Sequence, residues 1–277
     1  MVLADLKNAL VGFLMGVVSQ LPGASGATIA VIFRIYERLV ADFADMRGKL
    51  LKDLRFILVV AVGGALGYLL CAKVLNNYID DYYVPMLFLF GALITMQIPD
   101  IRRMADDGEG YSRNNILAFS IAFLIIVAIF VVKQTFSPDA TDANWIMMVV
   151  AGFVVAGSFI SPGISGSTML LVLGIYPAFL AAIDDLNFRM LLPIAVGGII
   201  GLIVFAKLID HYMNVAKKST YCAILGLTVG SVLVVFVEAF MKMDISNDIV
   251  KCIICVVAGI VLGYGLCRLA RIYSDTN

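Results

Sequence analysis

Most of this sequence is taken up by apolar runs long enough to cross a lipid bilayer, which restricts the chain to helices that satisfy their own backbone hydrogen bonds inside hydrocarbon. The ordinary runs lie near residues 56–75, 84–98, 115–132, 190–209, 221–240 and 250–268, separated by short polar loops. Almost no length is left for a soluble domain. With 62% apolar and 14% charged residues and a mean hydropathy of +1.00, the chain lies far from the roughly 45–50% apolar content of soluble domains. A formal net charge of zero gives no electrostatic ground for a nucleic-acid partner; membrane lipids are the expected surroundings. The apolar stretch from Met1 to Gln20 continues into Leu21, Pro22 and Gly23 with no small-residue cleavage site, so it is expected to stay.

The chain also repeats itself. Leu21-Pro-Gly-Ala-Ser-Gly-Ala-Thr28 returns at an offset of 140 as Ser161-Pro-Gly-Ile-Ser-Gly-Ser-Thr168, and Ile35-Tyr36 returns as Ile175-Tyr176. Further on, at an offset of 134, Ala61-Val-Gly-Gly-Ala-Leu-Gly67 matches Ala195-Val-Gly-Gly-Ile-Ile-Gly201. Two motif blocks in the same order, with the offset changing in the polar loop between them, indicate a duplication with a tolerated loop insertion. The expected fold is an all-α polytopic membrane protein of two repeats, residues 1–140 and 141–277. Each repeat is a helical hairpin broken at Pro22 or Pro162, followed by three transmembrane helices. Three crossings and one hairpin make an odd count, so the repeats are inverted. The positive-inside rule agrees. With both termini in the cytoplasm, only Lys73, Lys133, Arg189, Lys242 and Lys251 of the twenty basic residues fall outside, together with loops holding Asp80, Asp81, Asp184 and Asp185.

Proline followed by glycine within a membrane segment removes a donor and frees carbonyls, so the helix must stop there. From Asn8 to Gln20 a helix covers about 20 Å, short of a roughly 30 Å core, which favours a re-entrant hairpin over a tilted full span. Past each turn, Ser25 or Ser165 stands where an N-cap stands, and Gly26 with Thr28, or Gly166 with Ser167 and Thr168, forms the first helical turn. Amides, hydroxyls and a positive dipole end converge there, which is how helix ends bind anions and how broken helices hold substrate in transporters. One helix end offers about 0.3–2 kcal/mol to a negative charge, less than the at least 2.5–3.5 kcal/mol a charge costs at about the bilayer centre. Two tips and a cation are therefore needed. Arg34 is the candidate cation, with Glu37 and Arg38 on its helix face, and Glu238, alone in the apolar run from Val232 to Phe240, is a candidate proton-coupling group. Each residue also has a plainer role: Ser-Gly pairs pack membrane helices, Arg34 and Arg38 open a cytoplasmic loop, and Lys73 and Lys207 snorkel. His211 reads as interfacial. Cys252 and Cys255 form a CxxC without the second pair or histidines a metal site needs.

Residues Pro22-Gly-Ala-Ser-Gly-Ala-Thr-Ile-Ala-Val-Ile-Phe-Arg-Ile-Tyr-Glu-Arg-Leu39, echoed from Pro162 through Gly174-Ile-Tyr-Pro177, resemble the bacterial and archaeal membrane family named domain of unknown function 368. The resemblance covers essentially the whole chain. It implies a translocase that returns a polyprenyl phosphate, such as undecaprenyl phosphate, across the cytoplasmic membrane for cell-envelope synthesis. No cofactor is implied; coupling to protons or sodium is open. In that family a glycine commonly precedes Ile-Tyr-Glu, where this chain has Arg34, so a family-wide role for Arg34 is not implied. The alternatives are an ion-coupled carrier of a small soluble anion and an enzyme like undecaprenyl-pyrophosphate phosphatase. The latter's motif has an arginine between two serines and a paired glutamate motif, whereas the glutamates here are only Glu37, Glu109 and Glu238.

Overall fold

A computed structural model describes residues 2–19, 25–106, 108, 110–135, 144–185 and 187–275, which form helices joined by turns, with no strand among them. Residues 1–140 hold α1 (Val2–Ser19), α2 (Gly26–Ile32), α3 (Tyr36–Ala44), α4 (Lys49–Lys52), α5 (Leu54–Thr95), α6 (Ile98–Ala105) and α7 (Arg113–Thr135). Residues 141–277 hold α8 (Trp145–Ile160), α9 (Gly166–Val172), α10 (Tyr176–Asp184), α11 (Phe188–Val215), α12 (Lys217–Lys242) and α13 (Ile245–Asp275). Among the described residues, six segments are long and apolar enough to span: Leu54–Cys71, Tyr82–Ala105, Arg113–Thr135, Phe188–Val215, Lys217–Lys242 and Asp248–Ile272. They fall on the six runs read from the sequence. The protein is a multi-pass membrane protein.

Two expectations need correction. The loop expected around Asp80 and Asp81 is helical: α5 runs 42 residues through both spans and bends at Tyr82, where φ is −124° and ψ 15°. Pro85 sits just beyond the bend, and a proline ring crowds the preceding turn and leaves a carbonyl without its donor. A bend suffices to redirect the chain here. The second correction concerns α1, which starts at Val2 and has 18 residues, so it reaches about 27 Å at 1.5 Å per residue. Its counterpart α8 has 16 residues, with Asn144 Oδ1 accepting from Met147 N at 2.9 Å as its N-cap.

Packing repeats the sequence offsets in three dimensions. Helix α1 lies along α5 as α8 lies along α11. A Cβ on Gly12 would strike the Val60 carbonyl, and one on Gly152 the Ile194 carbonyl; Gly63 abuts the carbonyl of Ala9 as Gly197 abuts that of Val149. Phe13 against Gly67 matches Phe153 against Gly201 in the same way. Without side chains at the seam the backbones approach closely, which is how membrane helices gain contact where hydrophobic driving force is absent. The later spans pair across the repeats: α12 packs on α7, and α13 on the second half of α5. Gly226 on Phe119 in one pair corresponds to Ala92 on Gly259 in the other, again at offsets of 134 and 140. All seven residues of α2 are buried at the centre, while Leu58, Val62, Leu66 and Leu69 of α5 and Ile253, Val257 and Val261 of α13 face outward, as lipid-facing positions do.

Candidate functional site

The second hairpin turns as its sequence dictates. Helix α8 stops at Ile160, Pro162 is buried without an N–H to donate, and Gly163 takes φ +84° against the Leu227 carbonyl and Ser231 of α12. Any side chain at Gly163 would meet both an unfavourable dihedral and that wall. Ser165 precedes α9; its hydroxyl makes no cap bond and lies 2.9 Å from Ser167 Oγ. A cavity of about 60 Å³ opens beside this tip, lined by Ser165, Thr168 and Ser231 together with Lys133 of α7 and Glu238 of α12. Glu238 is buried beneath a cap of donors. Lys133 Nζ lies 3.2 Å from its Oε2, Lys242 Nζ 3.2 Å from its Oε1, and the Tyr83 hydroxyl donates to Oε1 at 3.0 Å. Two ammonium groups face one carboxylate, so the mouth of the cavity carries net positive charge.

Pro22 and Gly23 lie outside the described residues, but the helix after them is seen. Ser25 caps α2, its Oγ accepting from Ala27 N at 3.3 Å, and the same hydroxyl lies 3.5 Å from the Ser161 carbonyl at the second turn. The Tyr36 hydroxyl donates to the Ile160 carbonyl at 3.1 Å. The start of α2 and the first turn of α3 therefore meet the end of α8 in the interior. Their exposure differs: Ser25, Gly26 and Thr28 are buried, whereas Ser165, Gly166 and Thr168 are half-buried and Ser167 is exposed.

The helices past the breaks have seven residues each, so few peptide dipoles align and the full charge near the second tip comes from Lys133. Arg34 does not stand at the tips. Helix α2 ends at Ile32 in a Schellman turn, with Ile35 N bonded to Ala30 O and Arg34 N to Val31 O, and Arg34 is its left-handed residue at φ +58°. The equivalent turn ending α9 uses Gly174 at φ +71°. An arginine there costs about 1–2 kcal/mol that glycine does not. Its side chain lines a different cavity with Asp100, Arg103 and Arg271. Glu37 and Arg38 are elsewhere too. Glu37 pairs with Lys217 at 2.7 Å and accepts from the Tyr221 hydroxyl at 2.6 Å, while Arg38 pairs with Asp53 at 2.9 Å and lies over the Phe56 ring. Partial burial pushes the Glu37 carboxyl up, but the hydrogen bonds from Lys217 and Tyr221 outweigh it and hold it below the ordinary glutamate range. Of the residues proposed from sequence, the structure gathers Ser165, Thr168 and Glu238 at one cavity, with Ser25 against the same turn. Lys133, Tyr83 and Ser231 were not foreseen. Only Lys242 carried a signal, four residues beyond Glu238 on the same helix.

Short helices α2 and α9, set among six membrane-length helices of the described residues, define a polytopic membrane protein. The chain belongs to the undecaprenyl phosphate translocase-like family, whose model matches residues 15–251. It is 27% identical over 241 residues to the polyprenyl-phosphate transporter of Staphylococcus aureus (strain NCTC 8325 / PS 47), covering 83% of this chain and 85% of that relative. To the polyprenyl-phosphate transporter of Vibrio cholerae (serotype O1, strain El Tor Inaba N16961) it is also 27% identical over 241 residues, covering 82% of this chain and 76% of the relative. No solved structure matches significantly.

Proposed function

We propose that this chain moves a polyprenyl phosphate between the leaflets of the cytoplasmic membrane, its phosphate passing between the two Ser-Gly tips while the prenyl tail stays in lipid. The carrying observation is the start of α2 against the second turn, Ser25 Oγ at the Ser161 carbonyl, with a hydroxyl-lined cavity and Lys133 beside the second tip. Equivalent residues buried at one tip and accessible at the other are what one state of an alternating-access cycle requires. The repeats are inverted and both termini cytoplasmic, which puts Lys133, Lys242 and Glu238 at the outer end. Exchange of a proton at Glu238, which would release Lys133, is the proposed point of ion coupling. The names of both relatives support a lipid-phosphate substrate. Hydrolysis is disfavoured because Glu37 and Glu238 are committed to separate ion pairs and cannot serve as a shared acid and base.

The test is movement of a polyprenyl monophosphate across liposomes holding the purified protein, with phosphate release followed in the same vesicles. Movement without release, lost in Ser25→Ala and Ser165→Ala at unchanged expression, supports the proposal. Release identifies a phosphatase. Transport of inorganic phosphate without lipid movement identifies a soluble-anion carrier, and full activity in both serine variants removes the tips from the mechanism.

A further inference from the structure

The two sequence offsets relate the cavity at the second tip to another cavity, of about 180 Å³, lined by Arg34, Asp100, Arg103, Met104, Ala270 and Arg271. At those offsets Asp100 stands where Val234 stands in the first cavity, Met104 where Glu238 stands, and Ala270 where Phe130 stands. The second cavity is thus the counterpart of the first on the other repeat, yet its chemistry is its own. Three guanidinium groups and a single carboxylate share it: Arg271 lies 2.9 Å and Arg103 3.5 Å from Asp100 Oδ1, and Arg34 lines the same cavity. Asp100 is largely covered, its side chain 12% exposed. The surplus of two positive charges matches a phosphate monoester, which carries about −1.5 to −2 near neutral pH. Guanidinium forks fit phosphate oxygens in pairs, as ammonium groups do not. Arg34 adds an independent sign. It holds a left-handed backbone where the other repeat has glycine, so its side chain is kept in this cavity against the local preference of the chain.

We propose that Arg34, Arg103 and Arg271 form a docking site for a phosphate monoester separate from the hairpin tips, with Asp100 occupying Arg103 and Arg271 when no ligand is bound. On the translocase reading, on which this role rests, it is the headgroup's station at the cytoplasmic end of the path. The recognised chemistry is the monoester or phosphate dianion, whether on a lipid or free.

The experiment is equilibrium binding of undecaprenyl phosphate to the full-length protein in nanodiscs, with inorganic phosphate as competitor. It compares Arg34→Gly, Arg271→Gln, Asp100→Asn and the double variant Ser25→Ala/Ser165→Ala. Arg34→Gly and Arg271→Gln each weaken binding about tenfold, the worth of a charged hydrogen bond. Asp100→Asn tightens it severalfold, and the tip-serine variant keeps a saturable site. Arg34→Gly also raises the melting temperature, because glycine relaxes the left-handed turn; a residue held for packing would lose stability and binding together. Displacement by inorganic phosphate assigns the site to the free ion as well, and its failure assigns it to the lipid headgroup. Arg34→Gly and Arg271→Gln binding as tightly as the unaltered protein overturns the proposal. Binding that behaves as expected in a protein that moves no lipid keeps the site and removes the translocase reading.

Discussion

A carboxylate inside an apolar helix is tolerated only with its charge answered, and Glu238 has three answers: Lys133, Lys242 and the Tyr83 hydroxyl. Removing the carboxylate alone leaves two ammonium groups facing each other around a half-enclosed cavity. Glu238→Ala is expected to cost about 1–3 kcal/mol, below the 3–5 typical of a fully buried pair because Lys133 and Lys242 are 25% and 50% exposed. Converting both partners, Lys133→Met with Glu238→Met, recovers part of that loss. Denaturation in detergent checks it, and a double variant no more stable than Glu238→Ala contradicts the pairing. Glu37 offers a check by pH. Its carboxyl titrates below the ordinary glutamate range in the folded protein, so the Lys217–Glu37 contact stabilises fully above about pH 4.3, the unfolded value, and is lost as pH falls through the lower folded value. Acid melting curves of Glu37→Gln should therefore fall less steeply below pH 4 than those of the unaltered protein, and superimposable curves rule the contact out. Neither network was legible in the sequence beyond the Glu238–Lys242 spacing. Lys133 reaches Glu238 across 105 residues, and only the packing of α7 on α12 brings them together.

At the level of elements, glycine spacing carried the fold. The matched blocks Ala61–Gly67 and Ala195–Gly201 signalled a duplication, and the structure places α1 on one and α8 on the other, backbone against backbone. Seam and lining glycines differ in a way that can be measured. Gly12 and Gly152 abut the carbonyls of Val60 and Ile194, whereas a Cβ on Gly64 or Gly198 would meet nothing nearer than 3.5 or 3.9 Å. Gly12→Ala and Gly152→Ala are expected to cost about 1–3 kcal/mol through overpacking against rigid backbone. Gly64→Ala and Gly198→Ala should be neutral or stabilising, since alanine favours a helix by up to about 1 kcal/mol. Thermal melts of the four variants decide; equal losses in all four would mean that the seam is not where the structure puts it. Other elements escaped the sequence for physical reasons. Pro85 reads equally as a loop or a bend, and whether α5 continues depends on tertiary support for the freed carbonyl. The Schellman turn ending α2 was hidden because Arg34 fills the position that glycine signals in the second repeat.

For the whole molecule, the duplication places two ion pairs at corresponding levels of corresponding helix pairs. Lys133–Glu238 ties α7 to α12, and Arg271–Asp100 ties α13 to α6, the continuation of the second half of α5. Each pair lines its own cavity, and each joins one half of the chain to the other. A transporter that opens one end at a time must weaken the contacts at that end while keeping those at the other, so the ratio of two conformers reflects the difference between the two ties. Removing one tie shifts the ratio without touching the tips. Ser165 is the reporter, since it lies on the cavity at the second tip and its counterpart Ser25 is buried. In a background with the five native cysteines replaced, a cysteine at position 165 can be labelled from outside proteoliposomes by a membrane-impermeant maleimide. With the tie beside the second tip lost in Glu238→Gln, labelling should quicken; with the other tie lost in Asp100→Asn, it should slow. A shift of about 1.4 kcal/mol changes the conformer ratio tenfold, so the two variants should bracket the parent by up to that factor in each direction. Rates moving the same way in both would mean that the ion pairs only hold the helices together. Opposite movements would mean that the two ends exchange stability, as alternating access requires.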